Sequence, residues 1–447
     1  MKWTELPASP WTRLYLPISW VSEIGNGLTN TVVGPMQPYL AANVETDMAT
    51  INLLWTFGNF GYIVGCLATG MLYKRFLVSQ TQKMLFLGIT IALTGLTSCI
   101  MPFIHSFWLL LLCRLVQFIC QGLYVTADCI TVVMCMGPVI SRPFTMALHA
   151  TIGIGFLLAT FLVQPFLPNI SGKLAKDTIC DTERTQEEIQ TSVEEIPQMG
   201  GIQSIAWPFL ISGLWCVIGG LCYFYLGLCK YDMPIYQHKE EKISSTEDLS
   251  KDVSFSIITV FSLIIFFFYT FSGGIERIFQ SMSTTWSMCG PLQLEPGMAT
   301  LTDSFYNGGF MCGRITGSFL AGVLPPSSMV TISVLSVAGA SFILILLGPV
   351  HYAGLYSCAA IIGFFVSWQF GALFSWCAKR VDVTGNISPI FFLGCGVGSL
   401  ATPPIAGLLF TTDHQYVLYL VFSLALGQVG LATGLGAMDR RGVFHND

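Results

Sequence analysis

Five polar side chains share one spacing. Arg114, Gln117, Gln121, Tyr124 and Asp128 fall at i, i+3, i+7, i+10 and i+14 of the stretch CRLVQFICQGLYVTADCITVV. On a helix that spacing puts all five on one face. The apolar run around them, Phe107 to Met136, is long enough to cross a bilayer. A charge facing lipid near mid-bilayer costs roughly 2.5–3.5 kcal/mol even on the mild insertion scale. The stripe must therefore face protein or a water-filled path. A carboxylate held in low dielectric can switch by taking a proton or holding a cation. Amides and hydroxyls beside it can recognise a hydroxyl-rich solute. The chemistry on offer is reversible binding.

Seven charges lie within apolar spans: Glu23, Arg114, Asp128, Glu276, Arg277, Asp303 and Arg314. At about 3 kcal/mol each, lipid exposure would cost on the order of 20 kcal/mol, more than the stability of a typical domain. They must face inward, either as ion pairs between helices or as the lining of a transport path, and as a set they favour the path. Glu23, Asn26, Asn30 and Gln37 keep to one face of the first span. Glu276, Gln280 and Ser283 do so in the seventh, with Arg277 pointing off that face. Asp303, Asn307 and Arg314 align in the eighth. Asp303 and Arg314 are separated by about 16 Å of rise, so each needs its own partner. His149 is the membrane histidine, suited to packing, substrate contact or proton handling. We assign Asn26, Asn30, Gln121, His149, Gln280, Asn307 and Gln369 to substrate binding. Glu23, Asp128 and Glu276 are assigned to a coupling ion, and Arg114, Arg277, Asp303 and Arg314 to structural charge. Trp368, Gln369 and Trp376 suit either sugar stacking or ordinary packing. Asp47 reads as a helix cap, while Gly273-Gly274 and Pro403-Pro404 mark places where a helix can break or bend.

The elements that must position these groups are membrane helices. The chain is 53% hydrophobic and 10% charged, with mean hydropathy +0.67, against about 25% charge in soluble domains. Apolar spans fall at 13–40, 47–73, 84–103, 107–136, 144–167 and 205–228, then at 254–288, 297–324, 329–348, 353–378, 386–410 and 415–437. The expected fold is an all-α membrane protein of twelve transmembrane helices in two six-helix bundles. The first bundle covers residues 1–228 with a loop at 168–204, a charged linker covers 229–253, and the second bundle covers 254–447.

With both termini in the cytoplasm, the loops and tails on that side carry Lys2, Arg13, Lys74, Arg75, Lys83, Arg142, Lys230, Lys239, Lys242, Lys251, Lys379, Arg380, Arg440 and Arg441. The other side carries Lys173, Lys176 and Arg184, as the positive-inside bias requires. The 168–204 loop is then external, and Asn169-Ile170-Ser171 is a glycosylation acceptor on the correct side. Asn386-Ile387-Ser388 falls on the cytoplasmic side, where it goes unused. Most of the 15 cysteines sit in apolar spans as small buried hydrophobes. Cys180 and Cys289 fall in external loops and can form a bridge. No cleavable signal peptide is expected, because the first span starts late and runs too long.

The sequence contains no phosphate-cradling GxxxxGK[ST], HExxH or CxxC motif, so neither an ATP drive, an enzyme, nor a metal or other cofactor is expected. Twelve spans as six plus six, joined by a charged cytoplasmic linker, resemble the major facilitator superfamily. Gly70-Met71-Leu72-Tyr73-Lys74-Arg75 resembles its G-x-L-x-D-R signature, with Lys74 at the acidic position. Arg114, Gln117 and Gly122 are similar to its fourth-helix pattern. A narrower resemblance is to the sodium-dependent glucose transporter-like branch, related to fucose permeases. It rests on Leu148-His149 with Gly153, Gly155 and Pro165-Phe166-Leu167; on Gly274-Ile275-Glu276; on Gly308, Phe310, Gly313 and Arg314; and on Gly394, Gly398, Pro403 and Gly407. Asp128 sits where that branch carries an acid in helix 4. The chain departs from the branch at Val132, Ser399 and Asn307, where members carry Asn, Glu and an aromatic residue.

The resemblance implies a solute carrier working by alternating access. The amide-rich set suits a sugar such as a hexose, with Na+ or H+ as the coupling ion, both still open. An organic anion or monocarboxylate carrier using Arg277 or Arg314, and a non-transporting receptor, are the alternatives. The expected partners are the solute and the lipid bilayer, with no nucleic acid, and the expected state is a monomer in the plasma membrane rather than an endolysosomal one.

Overall fold

The computed structural model describes residues 10–75, 77, 79–167, 201–229, 255–321, 323–378 and 388–440. In chain order the helices are α1 (Pro10–Thr31), α2 (Val33–Asn43), α3 (Met48–Ile51), α4 (Leu53–Arg75), α5 (Gln80–Ile100), α6 (Phe107–Val163) and α7 (Gly201–Leu228). They are followed by α8 (Phe255–Cys289), α9 (Pro296–Leu320), α10 (Pro326–Leu347), α11 (Tyr352–Ala378), α12 (Ser388–Thr412) and α13 (Gln415–Arg440). Nine of the described helices are long and apolar enough to cross a membrane. The more polar α1 and α9 and the second leg of α6 complete the set of twelve.

Four expected spans depart from simple rods. The first is interrupted at Val32, just before Pro35, whose ring nitrogen cannot donate to the Thr31 carbonyl. The second is interrupted at Asn52, whose side-chain amide donates to the Met48 carbonyl at 2.6 Å. That carbonyl is the normal acceptor for the helical N–H of residue 52. The fourth and fifth spans, expected to be separated by a loop, form one helical run of 57 residues. Straight, it would reach about 85 Å. It instead reverses direction, as its contacts with α1 show. Arg114 and Asp128 meet Asn30 and Tyr15 respectively, so the first leg runs antiparallel to α1. Gly27 lies against Ile152 and Gly155, and Leu148 joins the cluster around Tyr15, so the second leg runs parallel to α1. Pro138 and Pro143, which cannot donate helical hydrogen bonds, lie where the chain turns. The expected external loop is also shorter than 168–204, because α7 starts at Gly201.

Two compact units emerge from the packing. Among described residues the first holds 10–46, 57–167 and 201–229, and the second holds 47–56 and 255–440. Each has its own aromatic core, around Trp11, Tyr15, Tyr124 and Tyr223 in the first and around Phe261, Tyr269, Trp368 and Trp376 in the second.

The two units use the same helix pairings. In the first, α4 packs on the first leg of α6, with Gly65 against the Ile119 carbonyl and Gly122 against that of Tyr62. In the second, α9 packs on α11, with Gly313 against the Phe364 carbonyl and Gly363 against that of Tyr306. In sequence order these are spans 2 and 4, then spans 8 and 10. Likewise α1 meets the second leg of α6 at Gly27 and Gly155, and α8 meets α12 at Gly273 and Gly398. Lipid supplies no hydrophobic drive between helices, so backbones must approach closely to gain dispersion and weak hydrogen bonds. At Gly273-Gly274, read as a place where a helix can break or bend, α8 does not break and is helical throughout. Those glycines make room for Cys395 and Thr402 of α12. Pro403 and Pro404 likewise lie inside a continuous α12.

Candidate ion and solute site

In the first unit the polar stripe of α6 is wholly buried against α1 and α7. Asp128 is 0% exposed and bonded to neutral hydroxyls from two other helices. Ser19 donates to Oδ2 at 2.6 Å, Tyr223 donates to Oδ1 at 3.1 Å, and Tyr15 donates to Oδ1 as well. The Tyr124 and Tyr223 hydroxyls lie 3.1 Å apart, and Trp11 stacks on Tyr15 with ring centroids at 4.7 Å. Among the described residues no basic group pairs with Asp128. Glu23, also 0% exposed, lies within electrostatic reach of Asp128. Its Oε2 accepts from Asn26 Nδ2 at 2.9 Å, while Oε1 is buried without a hydrogen-bond partner.

The other end of the stripe is a positive anchor. Arg114 donates from Nη1 to Gln117 at 2.6 Å and from Nη2 to the Asn30 carbonyl at 3.2 Å, and its guanidinium lies 4.3 Å from the Phe118 ring centroid. Gln121 donates to Thr29 at 3.4 Å. Buried amide atoms at Asn26 Oδ1, Asn30 Oδ1 and Gln117 Nε2 have no hydrogen-bond partner. The side chain of His149, and the residues Asn169 and Cys180, lie outside the described set. Cys289 is disulfide-bonded, and the other described cysteines are free thiols.

In the second unit a polar seam runs between α8 and α9. Gln280 donates to Glu276 at 3.3 Å. One turn further along α8, Ser283 donates to Asp303 Oδ1 at 2.6 Å and Thr284 to Oδ2 at 3.3 Å. Asp303 and Arg314 have separate surroundings, as their spacing requires. The Arg314 guanidinium sits 4.6 Å from the Phe310 ring centroid and within electrostatic reach of Glu276. Arg277 lies 5.1 Å from the ring centroid of Trp55, a residue of the 47–56 segment that packs with this unit. Asn307 is buried with neither amide atom hydrogen-bonded.

The third candidate region on α11 is locked by protein contacts. Gln369 and Gln428 exchange amide hydrogen bonds at 2.8 and 3.1 Å, and Ser272 donates to the same Gln369 oxygen at 2.7 Å. Trp368 donates to the Gly313 carbonyl at 2.8 Å and Trp376 packs near Phe261, so both serve the core. Asp47 caps α3, accepting from the Thr50 N–H at 2.8 Å.

Sequence reasoning missed Tyr15, Ser19, Tyr223, Thr284, Thr302 and Gln428. Tyr15 and Ser19 were findable, because they stand two turns and one turn before Glu23 on the same helical face. Tyr223 and Gln428 sit alone in apolar runs and carry no such signal.

The Major Facilitator Superfamily profile matches residues 19–403. This chain belongs to that superfamily. It is 24% identical over 412 residues to the zebrafish (Danio rerio) "Sodium-dependent glucose transporter 1", with 90% of this chain and 65% of the relative covered. The human protein of that name is 23% identical over 389 residues, covering 87% of this chain and 72% of the relative. The chain thus spans just under two thirds of the zebrafish relative's length. Among solved structures, a D-xylose-proton symporter aligns with TM-score 0.64 at 10% identity, over 95% of this chain and 97% of that one. The E. coli fucose:proton symporter FucP aligns with TM-score 0.55 at 15% identity, over 95% and 98%. The superfamily match and the long apolar helices make this a multi-pass membrane protein with the fold of that superfamily.

Proposed function

We propose that this transporter moves a small hydroxyl-rich solute, of the hexose class, by alternating access, with a cation gradient coupled through Asp128, Glu23 and Glu276. The observation that carries the reading is the chemistry of the buried polar sets. Asn26, Asn30 and Asn307 bury amide atoms without a protein partner. Burial of such atoms is costly unless something hydrogen-bonds to them, and a polyol supplies donors and acceptors in equal measure. Gln121, which donates to Thr29 in the first unit, and Gln280 in the second extend the amide set; Gln369 joins it only in a state that opens its pairing with Gln428. Two of the relatives carry "sodium-dependent glucose transporter" in their names, which supports the same class.

The rival carboxylate-carrier reading needs an arginine free to meet an anion. Arg277 and Arg314 lie over the aromatic faces of Trp55 and Phe310, which stabilises each cation without occupying its in-plane N–H donors, so flux decides between the two readings. The decisive experiment is uptake into proteoliposomes holding the purified full chain. Labelled hexoses and monocarboxylates are supplied under separate Na+ and H+ gradients. Saturable hexose uptake driven by one gradient supports the reading. Monocarboxylate uptake alone, or ligand binding without flux, overturns it. The plasma-membrane location, cytoplasmic termini, glycosylated Asn169 and monomeric state belong to the same proposal.

A further inference from the structure

By sequence Lys83 belongs with the loop charges, yet the fold buries it to 7% exposure. It stands in the first turn of α5, where the helix dipole disfavours a cation. Its Nζ lies 4.0 Å from the Met134 sulfur and 5.8 Å from the Tyr73 ring centroid. A thioether and an aromatic face bring no formal negative charge. Among the described residues no acid pairs with Lys83. A buried ammonium left without a compensating charge is strongly destabilising. Asp128 has the opposite deficit, a buried carboxylate held by hydroxyls. The buried charges described in the first unit are Glu23, Asp128, Lys83 and Arg114, two of each sign. Arg114 is anchored at the far end of the stripe by Gln117 and the Asn30 carbonyl, which leaves Lys83 as the second cation.

Lys83 and Asp128 stand on neighbouring helices at the same level. The Cys113 thiol donates to the Thr97 carbonyl at 3.4 Å, while Lys83 meets Met134, so α5 runs antiparallel to the first leg of α6. Fourteen residues back along α5 from Thr97, and fourteen forward along α6 from Cys113, the Lys83 backbone is level with Ala127 and Asp128. The ammonium nevertheless points to Met134, about 9 Å of rise beyond Asp128. Its four-carbon stem is flexible and has other rotamers. The ground between the two charges is partly polar. Tyr73 shares a hydrogen bond with Thr131, one turn from Asp128 on the same face of α6. The Cys135 thiol lies within electrostatic reach of both Lys83 and Asp128.

We infer that Lys83 is a tethered counter-charge for Asp128, a positioning residue whose ammonium swings from Met134 toward the carboxylate when the coupling cation leaves. The inference rests on the coupling role proposed for Asp128 and adds the group that takes the ion's place. Without such a group the empty carrier would hold an uncompensated acid through its return step. With it, the first unit keeps its charge balance whether or not an ion is bound.

The first test is the melting temperature of the purified full chain in detergent, in mildly alkaline choline buffer where Na+ and H+ are both scarce. Lys83→Gln should lower the melting temperature of the wild-type chain by about 2 °C or more, as should Lys83→Met. Neither substitution should lower that of Asp128→Asn, because the charge that Lys83 serves is gone. Equal losses in both backgrounds, or no loss in the wild-type chain, overturn the inference. The second test is flux in proteoliposomes. Net uptake of labelled hexose needs the empty carrier to return, and hexose exchange does not. Lys83→Gln should slow net uptake several-fold and leave exchange near wild type, while Lys83→Arg, which keeps the charge, should retain most net uptake. Loss of net uptake and exchange together overturns the inference. The melting test uses no solute, so it stays decisive if the hexose reading fails. Failure of the Lys83 inference leaves wild-type hexose uptake standing.

Discussion

Replacing Asp128 by Asn or by Ala separates its charge from its packing. The carboxylate bonds to hydroxyls of Tyr15, Ser19 and Tyr223. Asparagine keeps an oxygen for the two tyrosines, and its amide can donate to a rotated Ser19 hydroxyl. Alanine keeps none of the three bonds. Interhelical hydrogen bonds in lipid average about 0.6 kcal/mol, so their loss sets a floor near 2 kcal/mol. Tyr223 retains Tyr124 as a neighbour and Tyr15 retains the Asp128 backbone carbonyl at 3.3 Å, which leaves Ser19 as the group deprived of its partner. With about 3 kcal/mol at most for one orphaned buried hydroxyl, added to the two lost tyrosine bonds, the ceiling is near 4 kcal/mol. Asp128→Ala should therefore lose roughly 2–4 kcal/mol of stability, read as a clear fall in melting temperature in detergent. Asp128→Asn should melt close to wild type. In proteoliposomes Asp128→Asn should abolish gradient-driven accumulation while leaving solute exchange, because a neutral side chain cannot cycle between ion-bound and ion-free states. Wild-type accumulation by Asp128→Asn refutes the coupling role. Equal stability of the Ala and Asn variants refutes the account of the hydroxyl cage.

Other consequences follow from the packing. Gly155→Leu would drive a side chain into the Ile24 carbonyl and Gly27 of α1; overpacking of this kind costs about 1–3 kcal/mol or more, measurable as lost monodispersity and a lowered melting temperature. Gln428→Leu strips Gln369 of its reciprocal amide partner and should lower thermal stability, read as a fall in melting temperature in detergent. Asp47→Ala removes the α3 cap and should cost about 1 kcal/mol with solute affinity nearly unchanged.

The helical content and the twelve-leg plan were legible from composition and run length. Lipid admits few ways to satisfy a backbone, so a long apolar run has one reading. The inward face of α6 was legible for the same reason, because two opposite charges on one face cannot meet hydrocarbon. Tertiary structure alone decided what those faces meet. Asp128 meets tyrosines 113 and 95 residues away; helical spacing turns Tyr15 to the polar face of α1, but nothing along α1 or α7 pairs either tyrosine with Asp128. Gly273-Gly274 shows the same limit, since a glycine pair reads equally as a hinge or as room for a neighbour. The close approach of Cys395 and Thr402 decides for room. Periodicity tells a residue which way to point, because helix geometry is local. The identity of its partner depends on which helices the fold brings together, and that is set by the packing of the whole bundle.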